Sequence, residues 1–260
     1  MSGIAEIYAQ QVFENLKPLH ANWEPGYPVK LGDYGVMRDK LFLHLGNIKD
    51  LGISYEVRKD DALDDKQFSS KGQAEITFHA KGSVNVNGVV NVKPSVEISF
   101  KKEKAVFFNA ADCEFSTIEN KVSLGQAIMG LQKGVWKKEW AVVTDIVKAG
   151  ATTLVISGSN ASKFVLEASG DVEYINFADA SIGLSPSYSS NVSYQIVAKP
   201  GIIPLIGLCK IQSSFLFSNK TFQPLSKSMM GSTTLLSTIQ DYENIQTDES
   251  EEALVFRQLE

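Results

Sequence analysis

The chain has 260 residues with a formal net charge of −5 at pH 7, and 43% of its residues are hydrophobic, enough for one large or two small domains. The acidic balance argues against a nucleic-acid-binding protein, which normally shows a basic face, and 2 cysteines cannot form a dense disulfide framework. No apolar run reaches the roughly 18 residues of a transmembrane helix, and without a secretory signal at the start we expect a cytoplasmic protein.

The first part of the chain predicts one helix and several short strands. Residues 4–16 predict an amphipathic helix whose apolar side chains share one face: Ile4, Ile7, Tyr8, Val12 and Leu16. The turn-rich segment 23–53 predicts short strands, with Gly32-Asp33 and Gly46-Asn47 as turns between them. The charged run 58–67 predicts an exposed loop.

Residues 76–100 alternate between apolar and polar side chains. The even positions carry Ile76, Phe78, Ala80, Val84, Val86, Val90, Val92, Val96, Ile98 and Phe100. Side chains of a strand point alternately to its two faces, so this pattern predicts a long antiparallel hairpin with one apolar face. A three-residue loop at 86–88 keeps like residues opposite each other, and it pairs Ile76 with Ile98 and Phe78 with Val96.

A change of period after residue 118 predicts a helical insert around 121–149. Leu124, Ile128 and Leu131 suit a short helix, and a longer second helix carries Trp136, Trp140, Val143 and Val147 and ends at Gly150. Segment 152–170 then predicts two strands that are joined by a turn and buried on both faces.

The two-residue period returns in segment 178–198, with a turn expected at 185–190. Its apolar positions include Ile182, Leu184, Tyr188, Val192, Tyr194 and Ile196. We therefore predict a second amphipathic hairpin. Segment 201–211 predicts a buried core segment. Beyond Phe217 the chain becomes polar and then strongly acidic, and such a tail is either disordered or docks by its few apolar residues.

These elements predict an α+β fold: a twisted, mostly antiparallel sheet with long amphipathic β-hairpins, an N-terminal helix and the helical insert. We expect one domain at 1–218. The acidic C-terminal tail at 219–260 is a candidate for a regulatory or inhibitory segment.

Two interpretations of the alternating segments remain open at this point. A half-buried sheet across the core, with its polar face in water, explains each segment taken alone. Length favours the other interpretation, since each arm of segment 76–100 has about 10–12 residues and a tilted strand needs about 9–11 to span a bilayer. Membrane-spanning barrels require this alternation of lipid-facing and water-facing side chains.

No catalytic or metal-binding motif is recognisable, and we expect no enzyme activity, cofactor or metal site. His20, His44 and His79 are far apart in sequence. Cys113 has no basic neighbour that would activate a nucleophile, so we expect a small core residue. Trp136 and Trp140 are better explained as core residues than as a ligand cage.

The order of parts resembles the gasdermin pore-forming domain, especially its compact bacterial and fungal forms. The resemblance covers roughly residues 4–217: a helix, a strand with the sequence KLGDYGV, an alternating hairpin, a helical insert, two buried strands and a second alternating hairpin, before the acidic C-terminal segment. In that family two alternating regions become membrane-spanning hairpins after a C-terminal inhibitory piece is removed.

The resemblance implies a soluble precursor of an oligomeric membrane pore that acts in cell death or defence. An activating protease would remove the tail, and the protein would move to the inner face of the membrane and assemble there with further copies of itself. The rival hypothesis is a non-catalytic β-rich binding or assembly module that stays soluble.

The resemblance also assigns roles to residues of the two alternating segments. The membrane-inserting side chains would be Ile76, Phe78, Val84, Val86, Val90, Val92, Val96, Ile98, Phe100, Ile182, Leu184, Tyr188, Val192, Tyr194 and Ile196. The basic cluster Lys101, Lys102 and Lys104 is a candidate for contact with lipid headgroups, because each charge near an anionic surface contributes about 1 kcal/mol. A solvated surface is the alternative role for these lysines.

Overall fold

The computed structural model describes residues 3–82, 93–198, 200–213 and 254–259. Its helices are α1 (Ile4–Asn15) and α2 (Lys121–Met129), with a short 3-10 helix at Ile48–Leu51. Its strands are β1 (His20–Ala21), β2 (Asp33–Arg38), β3 (Leu41–Asn47), β4 (Val57–Ser69), β5 (Ala74–His79), β6 (Ser95–Phe100), β7 (Val106–Ile118), β8 (Trp140–Lys148), β9 (Ala151–Ser157), β10 (Lys163–Ala168), β11 (Leu184–Ser190), β12 (Val192–Ala198), β13 (Leu205–Ser213) and β14 (Leu254–Gln258).

The strands form two antiparallel sheets of unequal size. The large sheet has 10 strands, and its main path runs β1-β13-β8-β7-β9-β12. In addition, β14 pairs with β13, β2 pairs with both β3 and β8, and β4 pairs with β7. The small sheet has 4 strands in the order β11-β10-β6-β5. This architecture confirms the predicted α+β class with a mostly antiparallel sheet.

Helix α1 covers one face of the large sheet. Tyr8, Ala9 and Val12 are buried against strand residues that include Phe108 and Leu154, as the predicted apolar face requires. The hydroxyl of Tyr8 donates a hydrogen bond to the carbonyl oxygen of Pro204 at 3.2 Å, and burial raises the pKa of this phenol. Among the described residues, neither helix has the length and apolar character needed to cross a membrane.

The small sheet packs on the opposite face of the large sheet. Phe107 of β7 and Val155 of β9 point into the space between the sheets, whereas their neighbours Phe108 and Leu154 point toward α1. Consecutive strand residues alternate faces, so β7 and β9 are buried on both sides and form the centre of the three layers.

The structure corrects local predictions at segment 58–67 and at the second predicted helix. Segment 58–67 lies in the exposed strand β4, which pairs with β7 and has register shifts on both sides of Leu63. The predicted second helix is instead β8, buried on both faces between β13 and β7. Burial on both faces removes the two-residue alternation, and the β-branched residues of β8 favour a strand. The short helix, α2, is confirmed.

Candidate functional site

Strands β5 and β6 form the described part of the first alternating segment. Ile76 pairs with Ile98 and Phe78 with Val96, so the register predicted from the apolar pattern is confirmed. The strands contain 6 residues each within the described chain. The predicted loop at 86–88 and four of the predicted inserting residues, Val84, Val86, Val90 and Val92, lie outside the described residues.

The two strands of this pair differ in burial. Val96, Ile98 and Phe100 of β6 are buried between the sheets, whereas Ile76 on the edge strand β5 is half-buried. The side chain of Phe78 is 57% exposed, with its ring 5.9 Å from that of Phe177.

The polar face of β6 is also covered. Glu97 is buried and accepts hydrogen bonds from Ser99 at 2.7 Å and from Lys163 at 3.0 Å. Burial alone would raise the pKa of Glu97, but these hydrogen bonds and the charge of Lys163 lower it overall. In the folded protein β6 is therefore a central strand buried on both faces, rather than one with a water-exposed polar face.

The second alternating segment is not a hairpin. Strand β11 pairs with β10 in the small sheet, and β12 pairs with β9 in the large sheet. Only Asn191, at φ 54°, separates β11 from β12, and the expected turn 185–190 lies inside β11. Two-residue alternation specifies the face of each side chain, but it does not specify which strand becomes the partner.

The apolar residues of this second segment reach three environments. Ile182, Leu184 and Val192 contact the cluster between the sheets, while Tyr194 and Ile196 contact the cluster beneath α1. A register shift between Val192 and Tyr194 accompanies this change of face. Tyr188 on β11 is 45% exposed.

Three connections between the two sheets meet at two buried serines. The hydroxyl of Ser157 donates to the carbonyl oxygen of Lys102 at 2.6 Å and accepts from the Ala105 N–H at 2.9 Å. The hydroxyl of Ser162 donates to the carbonyl oxygen of Asn191, which also accepts from the Gly158 N–H at 2.8 Å. We call Ser157 and Ser162 the corner serines, since their hydrogen bonds join the β6–β7, β9–β10 and β11–β12 connections.

The predicted headgroup lysines are exposed on the β6–β7 connection. Lys101 forms an ion pair with Glu75 at 3.2 Å. Lys104 lines an open cleft of about 470 Å³ beside α1, together with Lys40, Glu6 and Asp39. The cluster therefore has neighbouring carboxylates that partly offset its positive charge.

The chain ends in a strand that covers an edge of the large sheet. Strand β14 pairs antiparallel with residues Cys209–Ser213 of β13, beside the section of β13 that pairs with β1. The Leu259 N–H donates to the Leu208 carbonyl oxygen at 2.7 Å, and Leu259 packs on a cluster that includes Val29 and Val143. Segment 201–211, predicted as buried core, supplies most of β13.

Both cysteines of the chain are free and buried. Burial raises the pKa of the thiols of Cys113 and Cys209 to about 11, which disfavours the nucleophilic thiolate. No group of three or more His, Cys, Asp or Glu residues among the described positions could hold a metal ion. Trp136, Trp140 and Tyr34 pack against one another, with ring centroids 4.9–5.5 Å apart.

Asp145 is a buried acid that no sequence pattern singled out. Its carboxylate accepts hydrogen bonds from Thr117 at 2.6 Å, Lys121 at 2.7 Å and Thr144 at 2.8 Å. This network joins the start of α2 to β7 and β8. The sequence offered little signal for it, because Asp145 looks like a polar interruption of an apolar run and two of its partners lie more than 20 residues away.

Comparison with solved structures gave only weak likeness. No family model and no curated protein matches the chain. The chain is similar to a solved structure described as the Gasdermin A3 membrane pore, with 9% sequence identity over 86% of this chain and 98% of the other, at a TM-score of 0.33. This likeness is too low to support an argument about function.

Proposed function

We propose that this chain is the soluble precursor of an oligomeric membrane pore, in which both alternating segments leave the globule and insert as amphipathic hairpins. One observation carries the proposal: the two segments meet in a single apolar cluster. Ile98 and Phe100 from the first segment, and Leu184 and Val192 from the second, all contact the cluster between the sheets.

The shared cluster gives insertion a physical route. If the small sheet separates from the large one, the apolar residues of both segments lose their cover together. Burial of apolar surface contributes about 25 cal/mol per Å², so exposure to water is unfavourable and transfer to lipid would restore most of the loss. In the hydrocarbon core of a bilayer, backbone N–H and C=O groups also require hydrogen-bond partners. Further copies of the chain would supply these partners by pairing their strands into a closed sheet.

The C-terminal segment is the proposed restraint. Strand β14 occupies an edge of β13, and exposed edges are sites where another strand can add. In this proposal an activating protease cuts within 214–253, β14 dissociates, and the sheet becomes free to rearrange on the inner face of the membrane.

The burial of β6 favours a second candidate function, a soluble β-rich binding or assembly module. Ser95 and Glu97 are buried as well as Val96 and Ile98, and each described arm is shorter than a membrane-spanning strand. A strand of this kind is typical of a permanent core. A pore requires the small sheet to separate from the large sheet, whereas a soluble module requires the two sheets to stay packed together.

Dye release from anionic liposomes separates the two candidates. A protease recognition site placed in 214–253 allows the tail to be cut in the presence of liposomes, and we expect leakage only after the cut. Tyr188→Asp should abolish leakage because it would place a charge on the lipid face of an inserted strand, where charged side chains are destabilising.

Ser187→Asp is the matched control for this charge. Ser187 is the exposed neighbour of Tyr188 and belongs to the opposite, water-facing set, so its variant should still leak. Both positions are exposed in the folded protein, and thermal melts should show two folded variants. Absence of leakage from the cut wild-type protein, or equal leakage from both variants, contradicts the pore and favours the module.

A further inference from the structure

Two half-buried cations lie directly opposite each other where the C-terminal strand docks. Lys210 of β13 is the cross-strand partner of Arg257 of β14. Directly opposed residues of an antiparallel pair have Cβ atoms about 4.5–5.5 Å apart, and like charges at this distance destabilise the pair. The pairing therefore carries an electrostatic cost where two strands must hold together.

Neither cation has a counter-ion among the described residues. None of the ion pairs of this part of the chain includes Lys210 or Arg257. The Nε atom of Arg257 is buried, with no hydrogen-bond partner. A buried donor without a partner is unfavourable, and more so where the group is charged.

The described neighbours of the two cations on this side of the sheet are apolar. On β8, the residue across from Lys210 is Ala141. Toward one end of the strand pair, the next residues on the same face are Leu208 of β13 and Leu259 beyond β14. These residues belong to an apolar cluster, so little polar material screens the two cations. An apolar setting strengthens both the mutual repulsion and the attraction for an added anion.

We propose that Lys210 and Arg257 form a binding site for a phosphate group. A guanidinium presents a planar fork of N–H donors, including Nε, that matches the oxygens of a phosphate, and the ammonium of Lys210 supplies a second charge from the facing strand. A dianion neutralises both cations, whereas a single carboxylate offsets only one. The phosphate group belongs either to a free phosphate or to a phosphate-monoester lipid headgroup.

This site exists only while β14 is docked, because each strand supplies one of its two cations. A ligand that binds only the docked form stabilises that form by mass action. Phosphate therefore holds the C-terminal strand on the sheet. This inference rests on the docked strand and does not require that the protein forms pores.

Thermal melts of the full-length protein test the site. Inorganic phosphate, compared with chloride at equal ionic strength, should raise the melting temperature saturably, by about 3 °C at ten times the dissociation constant. Lys210→Gln should lose this response, and Lys71→Gln, which removes a charge elsewhere, should keep it. Arg257→Lys keeps the charge but loses the fork, so its affinity for phosphate should fall several-fold.

Lys210→Glu gives a test of opposite sign. Its carboxylate would face Arg257 directly, so the melting temperature should rise without phosphate and the phosphate response should disappear. A variant that merely damaged the fold would have a lower melting temperature than the wild-type protein. Equal phosphate responses in wild-type, Lys210→Gln and Lys71→Gln proteins overturn the proposal.

A second arm distinguishes the source of the phosphate group. Full-length protein is mixed with phosphatidylcholine vesicles that contain phosphatidic acid, and sedimentation is compared for wild-type and Lys210→Gln proteins. If inorganic phosphate stabilises the protein but the protein does not bind the vesicles, the ligand is free phosphate. If the protein binds the vesicles and this binding depends on Lys210, the ligand is the lipid headgroup. Absence of a Lys210-dependent response in both arms rejects the site.

Discussion

The Nε2 atom of His20 lies 3.3 Å from the carbonyl oxygen of Leu259, so the first strand of the large sheet and the last one meet end to end along β13. His20 is buried, and its Nδ1 atom has no partner among the described residues. Burial lowers the pKa of His20; the hydrogen bond to Leu259 opposes this effect, and the nearby charge of Lys40 adds to it. The C-terminal strand therefore docks beside a histidine whose burial favours the neutral imidazole.

Acidification should weaken the protein through His20. Because the folded-state pKa is below the ordinary value of about 6.5, the unfolded chain takes up the proton first as the pH falls. The contribution of the neutral ring is complete above about pH 6.5 and is lost as the pH falls towards the lowered pKa. Urea denaturation between pH 7.5 and 5.5 should show a larger loss of unfolding free energy for wild-type protein than for His20→Gln.

Carboxylates with ordinary pKa values near 4 titrate mostly below this window, so the difference between the two proteins reports on His20. Parallel pH profiles for wild-type protein and His20→Gln would contradict the prediction.

A disulfide can test how β14 docks. Cys209 and Gln258 are direct cross-strand partners, and Cα atoms at such positions lie about 4.5–5.5 Å apart, within disulfide range. Gln258→Cys should form an intramolecular bond and raise the free energy of unfolding by about 2–4 kcal/mol. Non-reducing gels and thiol titration check the bond, with mild oxidant at raised pH because the pKa of Cys209 is about 11.

The same variant connects docking to leakage. After the tail is cut within 214–253, the disulfide keeps β14 on the sheet, so leakage should begin only when a reductant is added. Gln258→Cys combined with Cys209→Ala lacks the bond and should leak without reductant. A cross-linked dimer instead of a monomer would show that β14 docks on a second copy.

The sequence predicted the structure best where a pattern and a neighbouring partner agreed. The pairing of Ile76 with Ile98 follows from the alternation, because any odd slip would exchange the two faces of the strand. The pattern at Trp136, Trp140, Val143 and Val147 fits a helix equally well, and the strand prevails because β8 lies between two other strands. Tertiary context of this kind is not encoded in local periodicity.

The candidate site was predicted only in part for the same reason. Segment 178–198 shows clear alternation, but its two halves join different sheets through Asn191. No sequence pattern indicated the corner serines, because Ser162 and Asn191 are 29 residues apart and come into contact only in the folded chain.

Loss of a corner serine should loosen the junction between the sheets. Ser162→Ala leaves the Asn191 carbonyl oxygen with one fewer donor and removes the acceptor for the Ser159 N–H, which lies 3.0 Å from the Ser162 hydroxyl. We expect a loss of about 1–3 kcal/mol in the free energy of unfolding. Hydrogen exchange should accelerate first in β10 and β11, and the cut protein should leak faster.

Ser187→Ala serves as the control because Ser187 is exposed on β11 and its hydroxyl makes only a long hydrogen bond, 3.4 Å, to the carbonyl oxygen of Val165. If hydrogen exchange became faster in β13 and β14 instead of β10 and β11, the weakened contact would lie elsewhere. That result would contradict the role of the corner serines.

The last prediction concerns the ion pair between Lys121 and Asp145. Asp145 is 2% exposed, and Lys121 holds its carboxylate at 2.7 Å from the first turn of α2. Lys121→Met should lower the free energy of unfolding by about 2 kcal/mol, less than for a fully buried pair because the Lys121 side chain is 32% exposed. Chemical denaturation measures the loss.

Adding Asp145→Asn to Lys121→Met should recover part of this loss. The amide removes the unpaired charge. Thr117 and Thr144 donate to different oxygens of the carboxylate, at 2.6 and 2.8 Å, so the amide oxygen can accept from one threonine while the amide NH2 donates to the hydroxyl of the other. The double variant should therefore be more stable than Lys121→Met alone, a coupling of about 0.5–3 kcal/mol in a double-mutant cycle. Additive losses from the two substitutions would show that Lys121 contributes through packing rather than through its charge.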